Sequence, residues 1–286
     1  MKLPENNLQA VVMYFKSQLI DFYDDAEISS MLYIVLDFYF GITKTAVTLN
    51  EEKRFSESDL LKVIRVVKAL KKEQPLAYVL GEWPFYDLTL KVDENTLIPR
   101  PETEELVALI VKENPKANSI IDIGTGSGCI ALGIKSKLKE TNIYAWDISE
   151  KALEKVKENA LLNQLDISTE QVDILKSKTK QLDDKVDVIV SNPPYITKKE
   201  KGLMSKNVLD YEPHTALFVP DDDPLIFYEA ITAFAILNLK ENGKLYFEIN
   251  EHYGDEVVNL LESKGMKNVF LHQDMNGKDR MVSCSL

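Results

Sequence analysis

Leu8, Val11, Val12, Phe15 and Leu19 recur every three or four positions with polar residues between them, which predicts a helix with one buried face. Ile28 to Phe40 is a dense apolar and aromatic stretch. Leu60, Leu61, Ile64, Val67 and Leu70 form a third helical face behind the start signal of Ser56 and Asp59. Together these predict a small helical domain over residues 1–74. From Pro75 to Pro99 the pattern shortens: Gly81, Pro84 and the alternating FYDLTLKV predict a β-hairpin joining two domains over residues 75–99. In LIPRPETEELVALIV, Pro101 suits a first helical position, where its missing N–H costs nothing. Glu102, Glu104 and Glu105 then lie at the positive end of the helix dipole.

From Ser119 onward apolar strands alternate with helical patterns. SIIDIG precedes a helix near Cys129 to Leu138, NIYAWD precedes one over Lys151 to Leu162, and VDVIVS (186–191) and KLYFEIN (244–250) follow, the latter after a helix running to about Leu239. This order predicts an α/β domain over residues 100–286, built on a doubly wound, mainly parallel sheet. Asn268 to His272 and Arg280 to Ser285 flank QDMNGKD and predict an antiparallel C-terminal hairpin.

Charge and cysteine content narrow the partners. The 34 Lys and Arg against 46 Asp and Glu give a net charge of -12, so the surface repels a phosphate backbone and direct nucleic-acid binding is not expected. The two cysteines, Cys129 and Cys284, have no metal-ligand spacing and form no disulfide framework, which points to a reduced, cytoplasmic setting and no metal. MKLPENNLQAVVMYFKSQL has neither an uninterrupted apolar window nor transit-peptide character, and no membrane-spanning segment is expected.

Two stretches carry candidate chemistry. Asp122-Ile-Gly124-Thr125-Gly126-Ser127-Gly128 follows the first long strand and opens a helix, where glycines permit a close backbone approach to a nucleotide cofactor. Gly126, Gly128 and Ala131 also satisfy a dinucleotide pattern, and Asp147 at the end of NIYAWD is placed to accept both ribose hydroxyls, so NAD stays open on these residues alone. Asp173, in QVDILKS, is a candidate partner for an adenine amino group. Asn192-Pro193-Pro194-Tyr195 ends VDVIVS at the sheet edge where α/β folds bind ligands. The prolines fix the backbone and remove N–H donors. The Asn192 side-chain oxygen and the Pro193 carbonyl can then accept both hydrogens of one NH2 group, with Tyr195 over its flat face. Two fixed acceptors orient a weakly nucleophilic amide nitrogen and stabilise the positive charge that grows on it. His214, His252 and His272 receive no catalytic role.

The glycine loop together with Asn192 to Tyr195 resembles class I S-adenosylmethionine-dependent methyltransferases acting on planar nitrogens. QPLAYVLGEWPFYDLTL (74–90), TLIPRPETEELV (96–107), DYEPHTALF (210–218) and NGKDRMV (276–282) narrow the resemblance to the peptide chain release factor N5-glutamine methyltransferase family. It spans about residue 75 to the C-terminus, with a weaker helical match before it. It implies methylation of the glutamine in the Gly-Gly-Gln loop of class I release factors, with S-adenosyl-L-methionine as methyl donor and S-adenosyl-L-homocysteine as product. On matching positions, Gly124 to Gly128, Asp147, Asp173 and Asn192 bind the cofactor. Asn192, Pro193, Pro194 and Tyr195 form the catalytic and substrate pocket, and Arg100, Glu102 and Glu104 are rim candidates. The helical domain serves substrate recognition.

The chain departs from the family in three places. Ile174 stands where a tryptophan is frequent, Asn250 where glycine is common, and FVPDDDPL (218–225) replaces a glycine-rich turn. Rival readings are a ribosomal-protein glutamine methyltransferase, an rRNA or DNA amino-methyltransferase, an NAD-dependent oxidoreductase and a non-catalytic scaffold. The full IPRPETE favours the release-factor reading over the first. The net charge disfavours the second, and neither of the last two gives the NPPY tetrad a purpose.

Overall fold

Successive residues of the apolar strands are buried on opposite sides of one sheet, which is why these runs show no polar alternation. Ile121, Ile189, Leu245 and Phe247 pack on one side with Trp146 and Phe234. Ile120, Val188, Val190 and Tyr246 pack on the other with Val107 and Ile134. The computed structural model describes residues 6–50 and 52–286. These fall into two compact units: one takes in the chain up to Gly81 together with Lys206–Tyr211, the other Glu82–Ser205 and Glu212–Leu286. The stretch weighed for targeting begins at residues 1–5, outside the described residues.

The first unit contains helices α1 (Leu8–Leu19), α2 (Asp25–Phe40), α3 (Lys44–Thr48), α4 (Glu57–Leu70) and α5 (Leu76–Leu80). Asn7 and Asp24 cap α1 and α2 with their side-chain oxygens. Ser56 and Asp59 form a reciprocal capping box at the start of α4. Leu8, Val11, Phe15 and Leu19 are buried, as are Leu60, Ile64, Val67 and Leu70. Leu61, expected on that buried face, is 49% exposed. Its place is taken by Val63 and Val66, because a turn of 3.6 residues carries Leu61 round to the solvent side. Tyr23 Oη donates to the Leu70 carbonyl at 2.7 Å and ties the α1–α2 loop to the end of α4.

The second unit opens with the hairpin β1 (Glu82–Phe85) and β2 (Leu88–Lys91), which turns through Tyr86 and Asp87 at φ +48° and +64°. Then follow α6 (Pro101–Glu113), β3 (Ser119–Ile123), α7 (Cys129–Lys137), β4 (Asn142–Asp147), α8 (Glu150–Leu162), β5 (Ser168–Gln171), α9 (Ile174–Ser177) and β6 (Val186–Ser191). After them come β7 (Ile196–Thr197), α10 (Lys206–Tyr211, which belongs to the first unit), β8 (Phe218–Val219), α11 (Ile226–Asn238), β9 (Leu239–Glu248), α12 (Gly254–Ser263), β10 (Lys267–Gln273) and β11 (Asp279–Ser285).

The main sheet runs β10-β11-β9-β6-β3-β4-β5. Strands β9, β6, β3, β4 and β5 pair in parallel, while β11 pairs antiparallel with both β9 and β10. The C-terminal hairpin is therefore present, with its second strand placed inside the sheet. Strand order reverses at β3: the chain moves to β4 and β5 on one side and returns to β6 on the other. This reversal opens a crevice beyond the carboxyl ends of β3, β4 and β6, where open α/β sheets bind ligands. Among the described residues, no helix is long and apolar enough to cross a membrane.

Candidate active site

A cavity of about 370 Å³ lies at that crevice within the second unit. Gly124, Thr125, Gly126, Ser127, Asp147 and Asp173 form part of its wall, and Asn192, Pro193 and Pro194 form another part. Two sequence motifs separated by more than sixty residues thus face one space. Gly128 and Tyr195 do not line it, nor do Glu102 and Glu104, whereas Arg100 does.

The glycine loop is held by its own backbone. Gly124 and Thr125 donate their N–H groups to the Trp146 carbonyl at 2.8 and 2.9 Å. Gly124, Gly126 and Gly128 have φ of +72°, +56° and +82°, a region that side chains with a Cβ rarely adopt. At Gly128 a Cβ would also meet Val156 at 3.2 Å, so this glycine packs the loop against α8. Asp122 is buried; its Oδ2 accepts from Thr125 Oγ1 at 2.6 Å and from the Ala131 N–H at 3.2 Å. Burial pushes its carboxyl up to about 7 against the pull of these donors.

Asp147 closes β4 with both oxygens engaged. Oδ2 accepts the Gly126 N–H and Oδ1 the Ser149 N–H, each at 2.9 Å. Burial raises its carboxyl above the ordinary range, opposed by these backbone donors. Asp173 caps α9 through the Leu175 N–H at 3.1 Å, and Lys176 beside it lowers its carboxyl. Val172, Ile174, Phe227 and Ile231 give the cavity an apolar side. Ile174 is itself buried there, and Phe227 from α11 supplies an aromatic ring that the sequence reading passed over.

The residues fit a nucleoside cofactor. The Asp147 carboxylate can accept from a ribose diol beside the glycine turn, while the apolar side offers a surface to a planar base. Ser127 lines the cavity beside them, with its hydroxyl oxygen buried. Cys129 also lines the cavity, but burial pushes its thiol up to about 12, which keeps it protonated and poorly nucleophilic.

Glu248 is the last residue of β9 and only 2% exposed. Its Oε2 accepts from Thr103 Oγ1 at 2.6 Å and its Oε1 accepts from Tyr195 Oη at 3.4 Å. Tyr195 therefore turns inward, against the expectation that its ring covers a substrate. The hydroxyl finds a buried acceptor and the ring packs with the core under β6 and β9. Asn250, the departure from glycine, reaches the Tyr195 carbonyl at 3.4 Å and Glu200 Oε1 at 3.1 Å, so its side chain fastens the segment that follows the tetrad.

Arg100 and Glu212 close another side. Glu212, buried, accepts from Arg100 and from the Ile98 N–H at 3.2 Å, which anchors the segment carrying Pro213, Thr215 and Phe218 to the cavity wall. Glu104 instead accepts the Tyr86 N–H at 3.0 Å and steadies the β1–β2 turn, which explains its absence from the rim.

Comparison with known proteins agrees with this arrangement. Residues 102–210 match the family model described as the methyltransferase small domain. A release factor glutamine methyltransferase of Flavobacterium psychrophilum is 46% identical over 273 residues, covering 94% of this chain and 95% of that protein. The enzyme of the same name from Bacteroides thetaiotaomicron is 37% identical, covering 97% of this chain and all of that one. The chain belongs to the release factor glutamine methyltransferase family. Its fold is also that of the hMettl16 catalytic domain, solved with an RNA hairpin, at a TM-score of 0.57 and 15% identity over 93% of this chain and 91% of that one. A methyltransferase from Pyrococcus furiosus superposes with a TM-score of 0.51 at 18% identity, over 69% of this chain and 88% of that one. Membership in the family leaves the NAD-dependent oxidoreductase reading of the glycine loop without support.

Proposed function

We propose that this protein methylates the side-chain amide nitrogen (N5) of the glutamine in the Gly-Gly-Gln loop of class I peptide chain release factors. The observation that carries the reading is that Asn192, Pro193 and Pro194 share one cavity with the glycine loop and Asp147. S-adenosyl-L-methionine supplies a methyl group on sulfonium, and S-adenosyl-L-homocysteine is the product. Gly124 to Ser127 and Asp147 hold this cofactor, with Val172, Ile174 and Phe227 against its base. The helical domain over residues 1–74 serves recognition of the protein substrate.

Asn192 Oδ1 and the Pro193 carbonyl accept the two hydrogens of the glutamine NH2. Holding both N–H bonds fixes the direction of the nitrogen lone pair, and the two oxygens offset the positive charge that grows on nitrogen as the N–C bond forms and the C–S bond breaks. The proton leaves after attack, when the methylated nitrogen is strongly acidic. No side chain with a neutral-range pKa is needed for it, and His214, His252 and His272 do not line the cavity. Pro193 and Pro194 hold these acceptors without offering a competing N–H.

Incubation with methyl-labelled S-adenosyl-L-methionine and purified release factor, followed by peptide mass spectrometry, tests the reading. Label on the Gly-Gly-Gln glutamine supports it. Label on a ribosomal protein or on RNA in a parallel incubation, with none on the release factor, replaces the substrate assignment.

A further inference from the structure

Strand β2 pairs with β1 along one edge, and its other edge lies against α8. There the alternate residues Thr89, Lys91 and Asp93 meet side chains spaced four apart on the helix. Asn163 Oδ1 accepts the Thr89 N–H at 3.3 Å, and its Nδ2 donates to the Thr89 carbonyl at 2.8 Å. Asn159 repeats the pattern one turn earlier: Oδ1 accepts the Lys91 N–H at 2.7 Å, and Nδ2 donates to the Lys91 carbonyl at 3.0 Å. Lys155 Nζ completes the series on the Asp93 carboxylate at 3.0 Å. Four residues of helix rise about 6 Å and two of strand about 6.6 Å, so the three rungs stay in step. The two asparagines take the place of a third strand, satisfying edge groups that would otherwise need water.

The middle rung reaches further. Asn159, fully buried, also donates to the Ser127 carbonyl at 2.9 Å. Ser127 belongs to the glycine loop and lines the cavity. Two residues beyond Lys91, the Asp93 carboxylate accepts the Asn95 N–H at 2.9 Å, and Asn95 and Thr96 line the same cavity. Asn159 thus meets two carbonyls and one N–H, and a carboxamide supplies two donor hydrogens and an acceptor for them. An aspartate only accepts and a leucine does neither, so the site selects for asparagine. We infer that Asn159 is a positioning residue for the cofactor site, holding the Ser127 carbonyl of the glycine loop at a fixed separation from the segment 91–96. Two walls of the cavity are then in place before a ligand enters, and the cost of ordering them does not fall on binding. The inference rests on the cofactor reading proposed above. It gives a role to a polar residue in the middle of α8 that lies outside both sequence motifs.

Asn159→Ala and Asn163→Ala make the test together, because each removes two hydrogen bonds to β2 and only the first releases Ser127. In isothermal titration, Asn159→Ala is expected to raise the Kd for S-adenosyl-L-methionine roughly tenfold, the scale of one lost hydrogen bond, while Asn163→Ala stays within about twofold. With release factor as substrate, the KM for the cofactor is expected to follow its Kd. The kcat at saturating cofactor should stay within about twofold, since Asn192 to Pro194 are untouched. A merely structural role would lower thermal stability in both variants and leave their cofactor affinities alike. A Kd for Asn159→Ala within about twofold of the parent, or equal weakening in the two variants, overturns the inference.

A second measurement needs neither turnover nor cofactor. In the cofactor-free proteins, hydrogen–deuterium exchange of the peptide spanning residues 124–129 is expected to be at least about fivefold faster in Asn159→Ala than in Asn163→Ala. Equal exchange contradicts the inference. Should Asn159→Ala fail to fold, NMR of the parent protein decides: both Asn159 side-chain amide protons are expected to exchange with solvent far more slowly than those of the exposed Asn259. Either proton exchanging at the Asn259 rate overturns it. If the parent protein binds no S-adenosyl-L-methionine, the cofactor reading falls, while the exchange comparison still decides whether Asn159 holds the loop.

Discussion

Asp147 Oδ2 accepts the Gly126 N–H at 2.9 Å, so the carboxylate that ends one parallel strand also holds the glycine turn that leaves its neighbour. The same residue shapes the loop and offers acceptors to the cavity. Asp147→Ala is expected to weaken S-adenosyl-L-methionine binding by about 10- to 100-fold, from about 1.5–3 kcal/mol for a hydrogen bond to a charged group. Isothermal titration with the cofactor alone measures this directly. Unchanged affinity would remove Asp147 from the cofactor site.

The Arg100–Glu212 pair makes a separate prediction about stability. Glu212 is almost fully enclosed, while a third of the Arg100 side chain reaches solvent. Arg100→Ala leaves Glu212 with the Ile98 N–H as its remaining named donor. A loss of about 2 kcal/mol is expected, since a buried carboxylate then lacks its countercharge. Urea denaturation of the two proteins gives the figure, and a difference under about 0.5 kcal/mol would show the pair to be energetically idle.

Asp122 gives a pH dependence with a definite sign. Its folded carboxyl is pushed up to about 7 by burial, above the ordinary value near 4 of an unfolded chain. Between those values the native state holds the extra proton, so this residue's contribution to stability is fully present below about pH 4 and is lost as pH rises through 7. Asp122→Asn abolishes that slope. The stability of the variant minus that of the parent is therefore expected to rise between pH 4 and pH 8 in denaturant titrations of the cofactor-free proteins. A difference independent of pH would mean that Asp122 titrates normally.

Much of the second unit was legible because its strands are buried on both faces and its helices carry single apolar stripes, patterns that are local in sequence. The same locality made Gly124 to Gly128 and Asn192 to Pro194 readable, since each motif does its work within a few residues of one strand end. Glu248 was not. Nothing near it in LYFEIN announces that its partners are Thr103 and Tyr195, which reach it from other parts of the chain. An acid inside an otherwise apolar strand was the available signal. Tyr195 was misplaced for the same reason: its aromaticity suggested a stacking face, but a buried acceptor 53 positions away decided where its hydroxyl points. Leu61 shows a smaller failure, in which one apolar residue too many was assigned to a helical face that Val63 and Val66 complete.

Methyl transfer to the release-factor glutamine by the Asn192→Ala variant, measured in single turnover beside the parent protein, tests the central claim most directly. Removing one of the two acceptors is expected to slow transfer by at least about 100-fold, on the scale of losing one preorganised hydrogen-bonding group at a reacting centre. Cofactor affinity and thermal stability should change little. Transfer within a fewfold of the parent rate would contradict the account, because the amide would then be oriented by something other than Asn192.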